Sequence, residues 1–460
     1  MKVLIIQPAP PKPWPEGVYA DEVARLGARL RQAGHEPSLL VLSDLDEEAL
    51  RLKVADVRPE HVVIHLESYH VALARRIAEH ITNRYYLPII IGGPQATVAP
   101  LETLSLIGVE GVVLGEWDRA VPRYLEARSL GPDYTATEGF WFKTETGTVR
   151  NPLAAPERPE EMVALPDRRL YSAEQIVDAA GQATLWPARG CRAYCAHCQM
   201  DLAAGLYEER QMIFERRRPL AHLVQEITWL RTTYPRLRRL RFSGCGFPLE
   251  EAYLKEFSAA LAAAPLPFAA RVKPAELDAR AAGQLRPAGC DELELEELSG
   301  SDFIRNEIFN LDLSEEAVVR AFAAARGAGL RTTALVQVGL PYETVVTVEQ
   351  TANLLRRLAP DRVEARVYFP LPGTKAYELC RENGWLSGRG EADYFTGQST
   401  LDLPGLDSGA IRRYATLIPR LAHRPKAWPL LWRLEHIRLG RHTAADIVGP
   451  LLGWRWRRGS

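Results

Sequence analysis

The chain has no run of about 18 consecutive apolar residues, so no segment reads as a membrane-spanning helix. It has only six cysteines in 460 residues, which do not make the disulfide framework of a small secreted domain. It has almost no net charge: 57 Lys and Arg face 58 Asp and Glu, and a net of −1 creates no global field for nucleic acid. The first residues, Met1-Lys2-Val3-Leu4-Ile5-Ile6, hold an apolar run far too short for a signal-peptide core and read as a strand start. These absences point to a reducing cytoplasm. What remains is the composition of an ordinary soluble protein, 47% hydrophobic and 25% charged. Its length calls for two or three domains.

Three of the cysteines fall in Arg189-Gly190-Cys191-Arg192-Ala193-Tyr194-Cys195-Ala196-His197-Cys198, a C-x3-C-x2-C spacing. A tight loop of that spacing can aim three thiolates at one point. Thiolates are soft ligands suited to iron–sulfur clusters and zinc. Both usually take four protein ligands, and three are here. Three ligands around a four-iron cluster leave one iron open for a substrate. The alternative is a zinc knuckle with a distant fourth ligand such as His222.

The first third alternates strands and helices. Strands are expected at Lys2 to Gln7, Pro37 to Leu42, His61 to Leu66, Pro88 to Ile91 and Gly111 to Leu114. Helices are expected at Asp21 to Ala33, stopped by Gly34, and at His70 to Thr82. This pattern makes a parallel doubly wound sheet, whose ligands bind at the carboxyl ends of strands. A β-hairpin is expected from Phe140-Trp141-Phe142 and Thr146 to Val149, then a proline- and acid-rich linker from Pro152 to Ser172. A second alternating region opens with a strand at Leu185 to Ala188 and runs to about Trp385. Its spacing suits a six-fold parallel partial barrel, with chemistry on the loops after its strands.

The cysteine loop resembles that of the radical SAM family, in which S-adenosylmethionine (SAM) chelates the open iron and is cleaved to a 5'-deoxyadenosyl radical. The family usually has an aromatic residue before the third cysteine, where this chain has His197. Later segments resemble the same family in the same order. The loop Ser243-Gly244-Cys245-Gly246-Phe247 follows the strand at Arg239 to Phe242, without the two aspartates relatives often hold there. Arg271 sits on the next strand, where the family counterpart faces the active site. Glu292 to Ser301 stands where relatives read I-E-S-G-S. Leu298 occupies the slot of the ribose-binding glutamate, and Glu296, two residues earlier on the same strand face, is its substitute. Gly339-Leu340-Pro341-Tyr342-Glu343-Thr344 resembles a G-L-P-G-E-T segment behind the adenine, with Tyr342 for a glycine. Phe369 to Thr374 resembles the F-x-P-x-P-G-T loop beside it.

The resemblance implies a four-iron cluster on Cys191, Cys195 and Cys198. It implies SAM contacts at Gly244, Arg271, Glu296, Ser299, Gly339, Pro341 and Pro372. Cys245 and Cys290 read as small buried thiols.

Ile91-Gly92-Gly93-Pro94-Gln95-Ala96-Thr97, Gly108-Val109 and Val112 to Glu116 resemble the cobalamin-binding domain that precedes many radical SAM domains. That implies cobalamin contacts at Gln7, His65, Ser68, Gly92, Gly93, Gly115 and Glu116. The D-x-H-x-x-G signature is absent, which implies cobalamin bound without a protein histidine on cobalt. His65 and His70 lie near this edge, with an ordinary polar loop histidine as the plain alternative.

The expected architecture is α/β. Residues 1–130 form a Rossmann-like cobalamin-binding domain and 131–183 a connector with a hairpin. Residues 184–386 form a partial (β/α)6 radical SAM barrel and 387–460 a basic, Trp-rich helical cap. In that last stretch Trp428, Trp432, Trp454 and Trp456 lie among Arg433, Arg438, Arg441, Arg455 and Arg457. It suits a lid over the barrel mouth, or docking to an acidic partner or a membrane surface.

The implied activity is cobalamin-dependent methyl transfer to an unactivated carbon or a phosphinate phosphorus. One SAM would methylate cob(I)alamin and a second would yield the hydrogen-abstracting radical. A non-methylating rearrangement or cyclisation and a non-catalytic cobalamin and cluster carrier are the alternatives. The expected partners are a small-molecule or peptide substrate and an external electron donor, with no nucleic acid.

Overall fold

The computed structural model describes residues 1–422, except 12–16, 163, 192–193 and 263–264, together with 438–439 and 442–443. The tryptophans at 428, 432, 454 and 456 and most of the basic stretch lie outside the described residues.

The first unit runs β1 (Lys2–Pro8), α1 (Asp21–Gln32), β2 (Glu36–Leu42), α2 (Glu47–Val57), β3 (His61–His65), α3 (Val71–Tyr85), β4 (Ile89–Gly92), the short α4 (Pro94–Val98) and α5 (Pro100–Leu104), β5 (Val109–Val113) and α6 (Trp117–Leu130). The hairpin β6 (Phe140–Thr144) and β7 (Gly147–Arg150) follows. The sheet order is β2-β1-β3-β4-β5-β6-β7. The first five strands are parallel and the last two antiparallel. Val3 to Ile6, Val62 to Ile64 and Ile89 to Ile91 are fully buried. Helices cover both faces of such strands, so they read as continuous apolar runs rather than alternating ones.

Two expectations are corrected here. The sequence reading has no element between β2 and β3, where α2 lies. Only Leu50 and Val57 of α2 are buried, so its apolar stripe is too thin to stand out, although its N-cap Asp46 accepts from the Ala49 amide. The hairpin is part of the first sheet rather than of a free connector, because Phe142 pairs with Gly111 and Phe140 with Val113. A Cβ at Gly111 would lie 2.9 Å from the Phe142 ring, so the glycine admits that aromatic.

The stretch after the hairpin is acid-rich but not a loose linker. Glu157, Asp167 and Arg168 are all buried. Arg168 bonds Glu226 at 2.6 Å and the Thr184 carbonyl at 2.7 Å, which seats the connector on the second unit. The short α7 (Ala173–Ile176) then leads to β8 (Gln182–Leu185).

The second unit continues with β9 (Ala188–Arg189), α8 (Gln199–Glu208), β10 (Arg216–Arg217), α9 (Leu220–Thr233), β11 (Arg239–Phe242), α10 (Glu251–Ala262), β12 (Phe268–Val272), α11 (Ala279–Leu285), β13 (Cys290–Leu298), α12 (Glu315–Gly327), β14 (Arg331–Val338), α13 (Val345–Leu358) and β15 (Arg362–Val367). Six strands run parallel in chain order, β8-β11-β12-β13-β14-β15, and curl into the expected half-barrel. The first strand ends at Leu185, not at Ala188. Trp186-Pro187 breaks it, and Ala188–Arg189 pairs antiparallel with Arg216–Arg217 instead. Next come α14 (Lys375–Glu382), α15 (Glu391–Phe395) and α16 (Ser408–Ala422). The last packs against β15 and β14 at the open edge. Among the described residues no helix is long and apolar enough to cross a membrane.

Candidate functional site

The strand order of the first sheet reverses direction between β1 and β3, the switch point where such sheets bind ligands. A cavity of about 500 Å³ opens there, and the second unit supplies its opposite wall. Gln7, His65, Glu67, Gly93, Gly115 and Glu116 line it from the first sheet. Trp186, Arg189, Gly190, Gln199, Gly244, Cys245, Arg271 and Arg366 line it from the barrel side.

Four of these wall residues, Gln7, His65, Gly93 and Gly115, are fixed by bonds behind them. Gln7 at the end of β1 donates to the Val18 carbonyl at 2.7 Å and accepts from Tyr171 Oη at 2.5 Å. His65 at the end of β3 lies 3.4 Å from Glu22 Oε2 through its Nε2. Burial alone would lower the His65 pKa, but the bond to Glu22 and the charges of Glu67 and Glu22 raise it overall. The Thr97 hydroxyl ties two strand ends together, donating to the Gly93 carbonyl at 3.1 Å and accepting from the Gly115 amide at 2.9 Å. Gly93 has φ +109, and a Cβ there would meet the Leu66 carbonyl oxygen at 3.0 Å. A side chain is therefore excluded on both counts, and the backbone stays open to a ligand.

Gly92 and Ser68 do not line the cavity. A Cβ on Gly92 would fall 2.2 Å from the Trp117 ring, so this glycine serves the packing of α6. The Ser68 hydroxyl donates to Gln95 Oε1 at 2.5 Å and accepts from Gln199 Nε2 at 2.7 Å, behind the wall.

The cysteine loop is equally constrained. Gly190 has φ +75, and a Cβ would strike the Phe214 carbonyl oxygen at 2.1 Å, so only glycine fits before Cys191. The Cys198 amide donates to the Cys195 carbonyl at 3.0 Å, closing a tight turn. The amide of Ala196 bonds the Phe309 carbonyl, and its carbonyl accepts from the Ala376 amide. His197 packs its ring against Phe309 with centroids 4.4 Å apart, filling the aromatic slot noted from the sequence. Lys273 Nζ lies 3.6 Å from Cys191 Sγ, a cation beside a thiol. Among the described residues no three His, Cys, Asp or Glu side chains group as ligands of one metal ion. A multi-iron cluster takes one thiolate per iron, so its sulfurs need not converge on a single ion.

Cys245 is not the isolated core thiol expected. It lines the cavity, and a hydrogen bond with Cys191, burial and the nearby Cys198 hold its pKa well above the usual range. The glutamates of β13 alternate into the barrel. Glu292 bonds Arg239 at 2.8 Å, Glu294 bonds Arg241 at 2.7 Å, and Arg271 Nε stands 3.5 Å from both Glu294 and Glu296. Arg271 thus reaches the cavity from a buried charge ladder, with Glu296 beside it.

Ser299, Gly339, Pro341 and Pro372 stand back from the cavity. The Ser299 carbonyl accepts from Arg305, and the Pro372 carbonyl accepts from Gln199 at 3.0 Å. The Gly339 and Leu340 amides donate to Glu343 Oε2 at 2.5 and 3.3 Å. Tyr342, standing where relatives have glycine, has φ +61 and rests on Trp385 at 4.8 Å. That left-handed φ is one that favours glycine, and here a tyrosine adopts it with its ring edge-on to Trp385.

Sequence reasoning missed the buried ion pairs that join the two walls. Arg189 bonds Asp118 at 2.7 Å and Glu157 at 2.5 Å, and Arg25 bonds Asp118 at 3.1 Å. Single charged residues at element ends carry no sequence signal of burial.

Residues 187–355 match the Radical SAM superfamily. An uncharacterised methyltransferase of Pyrococcus horikoshii is 23% identical over 355 residues, covering 75% of this chain and 73% of its own. The fold is similar to that of TsrM from Kitasatospora setae, a radical S-adenosylmethionine methyltransferase solved with cobalamin and a [4Fe-4S] cluster bound. The TM-score is 0.68 at 20% identity, over 92% of each chain. TsrM has also been solved with a tryptophan substrate and a SAM analogue, with a TM-score of 0.66 at 20% identity over 90% of this chain and 82% of that one. The cobalamin-dependent radical enzyme OxsB, solved with aqua-cobalamin and SAM, gives a TM-score of 0.68 at 11% identity, over 98% of this chain and 70% of that one.

Proposed function

We propose that the chain is a cobalamin-dependent radical SAM enzyme that transfers a methyl group to an unactivated carbon. One observation carries this reading: a single cavity has the glycine edge of the first sheet on one side and the cysteine-loop side of the barrel on the other. Two cofactors that serve one substrate have to share such a space. When bound, cobalamin supplies a methyl carrier and the cluster an electron for SAM cleavage. The residues present fit both groups: a side-chain-free edge at Gly93 for a large flat ligand, and three thiols on a tight loop for a cluster.

In this reading Cys191, Cys195 and Cys198 hold the cluster, and Lys273 balances the charge of the Cys191 thiolate. Gln7, Gly93, Gly115 and Glu116 form the cobalamin side. Arg271, steadied by Glu294 and Glu296, presents a fixed cation to SAM or substrate. Tyr69, Trp117, Trp186 and Phe214 on the wall exclude water from the space between. The enzyme draws its electron from an external donor and works in a reducing compartment.

The test is mass spectrometry of products after anaerobic incubation of reconstituted protein with methyl-labelled SAM and candidate substrates. A product carrying the label supports methyl transfer. Turnover of SAM with an unlabelled, rearranged product favours the non-methylating alternative. Absence of SAM turnover in fully loaded protein favours a carrier.

A further inference from the structure

One short ribbon of the second unit grips one carboxylate of the first. β9 and β10 pair antiparallel with Arg189 directly opposite Arg216, and both side chains are buried. Both reach Glu116: Arg216 Nη2 hydrogen-bonds Oε1, and Arg189 Nη2 stands 3.4 Å from Oε2. Glu116 follows Gly115 at the end of β5 and is the N-cap residue of α6. Its amide bonds Tyr207 Oη at 3.0 Å, on the helix that begins immediately after the third cysteine. A Cβ on Gly115 would lie 2.1 Å from that same hydroxyl, so the two units meet here with no spare room.

Such an arrangement is poor evidence for stability. Desolvating charges costs about as much as their attraction returns, and an apolar seam would hold the units equally well. What charge-assisted bonds add is direction, because each guanidinium fixes the angle of its carboxylate as well as its distance. Arg189 is also one residue from Gly190 and two from Cys191. Gly190 is locked against Phe214, so the place of Arg189 is transmitted directly to the cysteine loop. The same Nη2 donates to Asp118 Oδ2 at 2.7 Å and Nη1 donates to Glu157 Oε2 at 2.5 Å, so three carboxylates hold this guanidinium.

We propose that Arg189, Arg216 and Glu116 form a clamp that sets the separation between the cobalamin edge and the cysteine loop. Arg189 and Arg216 are positioning residues that act through Glu116 on the cobalamin side, and the proposal rests on the function proposed above. Transfer between two bound groups depends steeply on their distance, and a displacement of about 1 Å can lower the rate about 100-fold.

The experiment uses the full chain reconstituted with iron, sulfide and cobalamin, comparing the parent with Arg216→Met, Arg216→Lys, Glu116→Gln and the double variant Glu116→Gln/Arg216→Met. Arg216 does not line the cavity, so Arg216→Met is expected to keep its iron and cobalamin. The reading that a merely structural role would not move is the magnetic coupling between reduced cluster and cob(II)alamin in electron spin resonance. It is expected to change in Arg216→Met, to change no further in the double variant, and to return in part in Arg216→Lys. Methyl transfer per loaded chain should fall about 100-fold with the KM for SAM unchanged.

Parental coupling and turnover in a loaded Arg216→Met would overturn the clamp, as would a strictly additive loss in the double variant. Should Arg216→Met not fold, the shape-conserving Glu116→Gln replaces it. Its cofactor-free chain should exchange the Gly115 and Gly190 amides faster than the parent, and unchanged exchange would equally overturn the clamp. A parent chain that takes up neither cofactor would instead sink the functional reading, and the exchange measurement would still judge the clamp.

Discussion

Gln199 Nε2 donates to Ser68 Oγ at 2.7 Å and to the Pro372 carbonyl at 3.0 Å. The residue after the third cysteine is thus bonded to the turn that follows β3 and to the loop beyond β15 at once. Gln199→Ala should leave the Ser68 hydroxyl short of a donor and cost about 1–3 kcal/mol, the range for a buried partner removed. Chemical denaturation checks this, and a loss under about 0.3 kcal/mol would mean that the bond contributes nothing.

Cys191→Ala should abolish the iron–sulfur absorption of reconstituted protein and all SAM cleavage. Cys245→Ala should keep a full complement of iron, because Cys245 lies outside the three-cysteine loop although it touches Cys191. Iron analysis of the two variants side by side decides. Full iron in the triple variant of Cys191, Cys195 and Cys198 would end the cluster assignment.

Gly92 and Gly93 should respond to substitution in different ways. Gly92→Ala drives a methyl group into Trp117 and should lower stability by about 1–3 kcal/mol. Gly93→Trp forces a side chain against the Leu66 backbone at a left-handed φ, so it should displace this edge and reduce cobalamin content while the iron content holds. Equal cobalamin occupancy in Gly93→Trp would count against the placement.

His65 should not ligate cobalt. Its Nε2 faces Glu22, and the chain lacks the D-x-H-x-x-G signature. Electron spin resonance of protein-bound cob(II)alamin should show no imidazole nitrogen splitting from His65. A splitting that disappears in His65→Ala would make His65 a ligand.

Glu343 should make stability fall as pH rises. Burial pushes its pKa up to about 8, against the Gly339 and Leu340 amides that lower it. The folded chain therefore holds a proton that the unfolded chain has released, from the ordinary carboxylate range up to about 8. Within that window stability declines with pH by at most about 1.4 kcal/mol per unit. Glu343→Gln keeps an acceptor for both amides and should remove this slope. An unchanged slope between pH 5 and 8 would refute the assignment to Glu343.

The local pattern of the chain was enough for the parts that rest on local physics. Apolar runs flanked by glycine and proline located β1, β3, β4 and β5, and β11 fell where the sequence placed it, at Arg239–Phe242. The C-x3-C-x2-C spacing was legible because its three cysteines fall within one short segment, Cys191 to Cys198. The thin stripe of α2 was not legible, and neither was the end of β8, where the chain leaves the sheet at Trp186 to pair elsewhere. Tertiary structure alone decided that Gly93, just past the end of β4, lines the cavity while Gly92, the last residue of the strand, backs onto Trp117. It alone decided that Cys245 meets Cys191, and that Arg189, Asp118, Glu116 and Glu157 share one buried knot. Those contacts join residues far apart in the chain, and no periodicity in a single sequence records which carboxylate a distant guanidinium will reach.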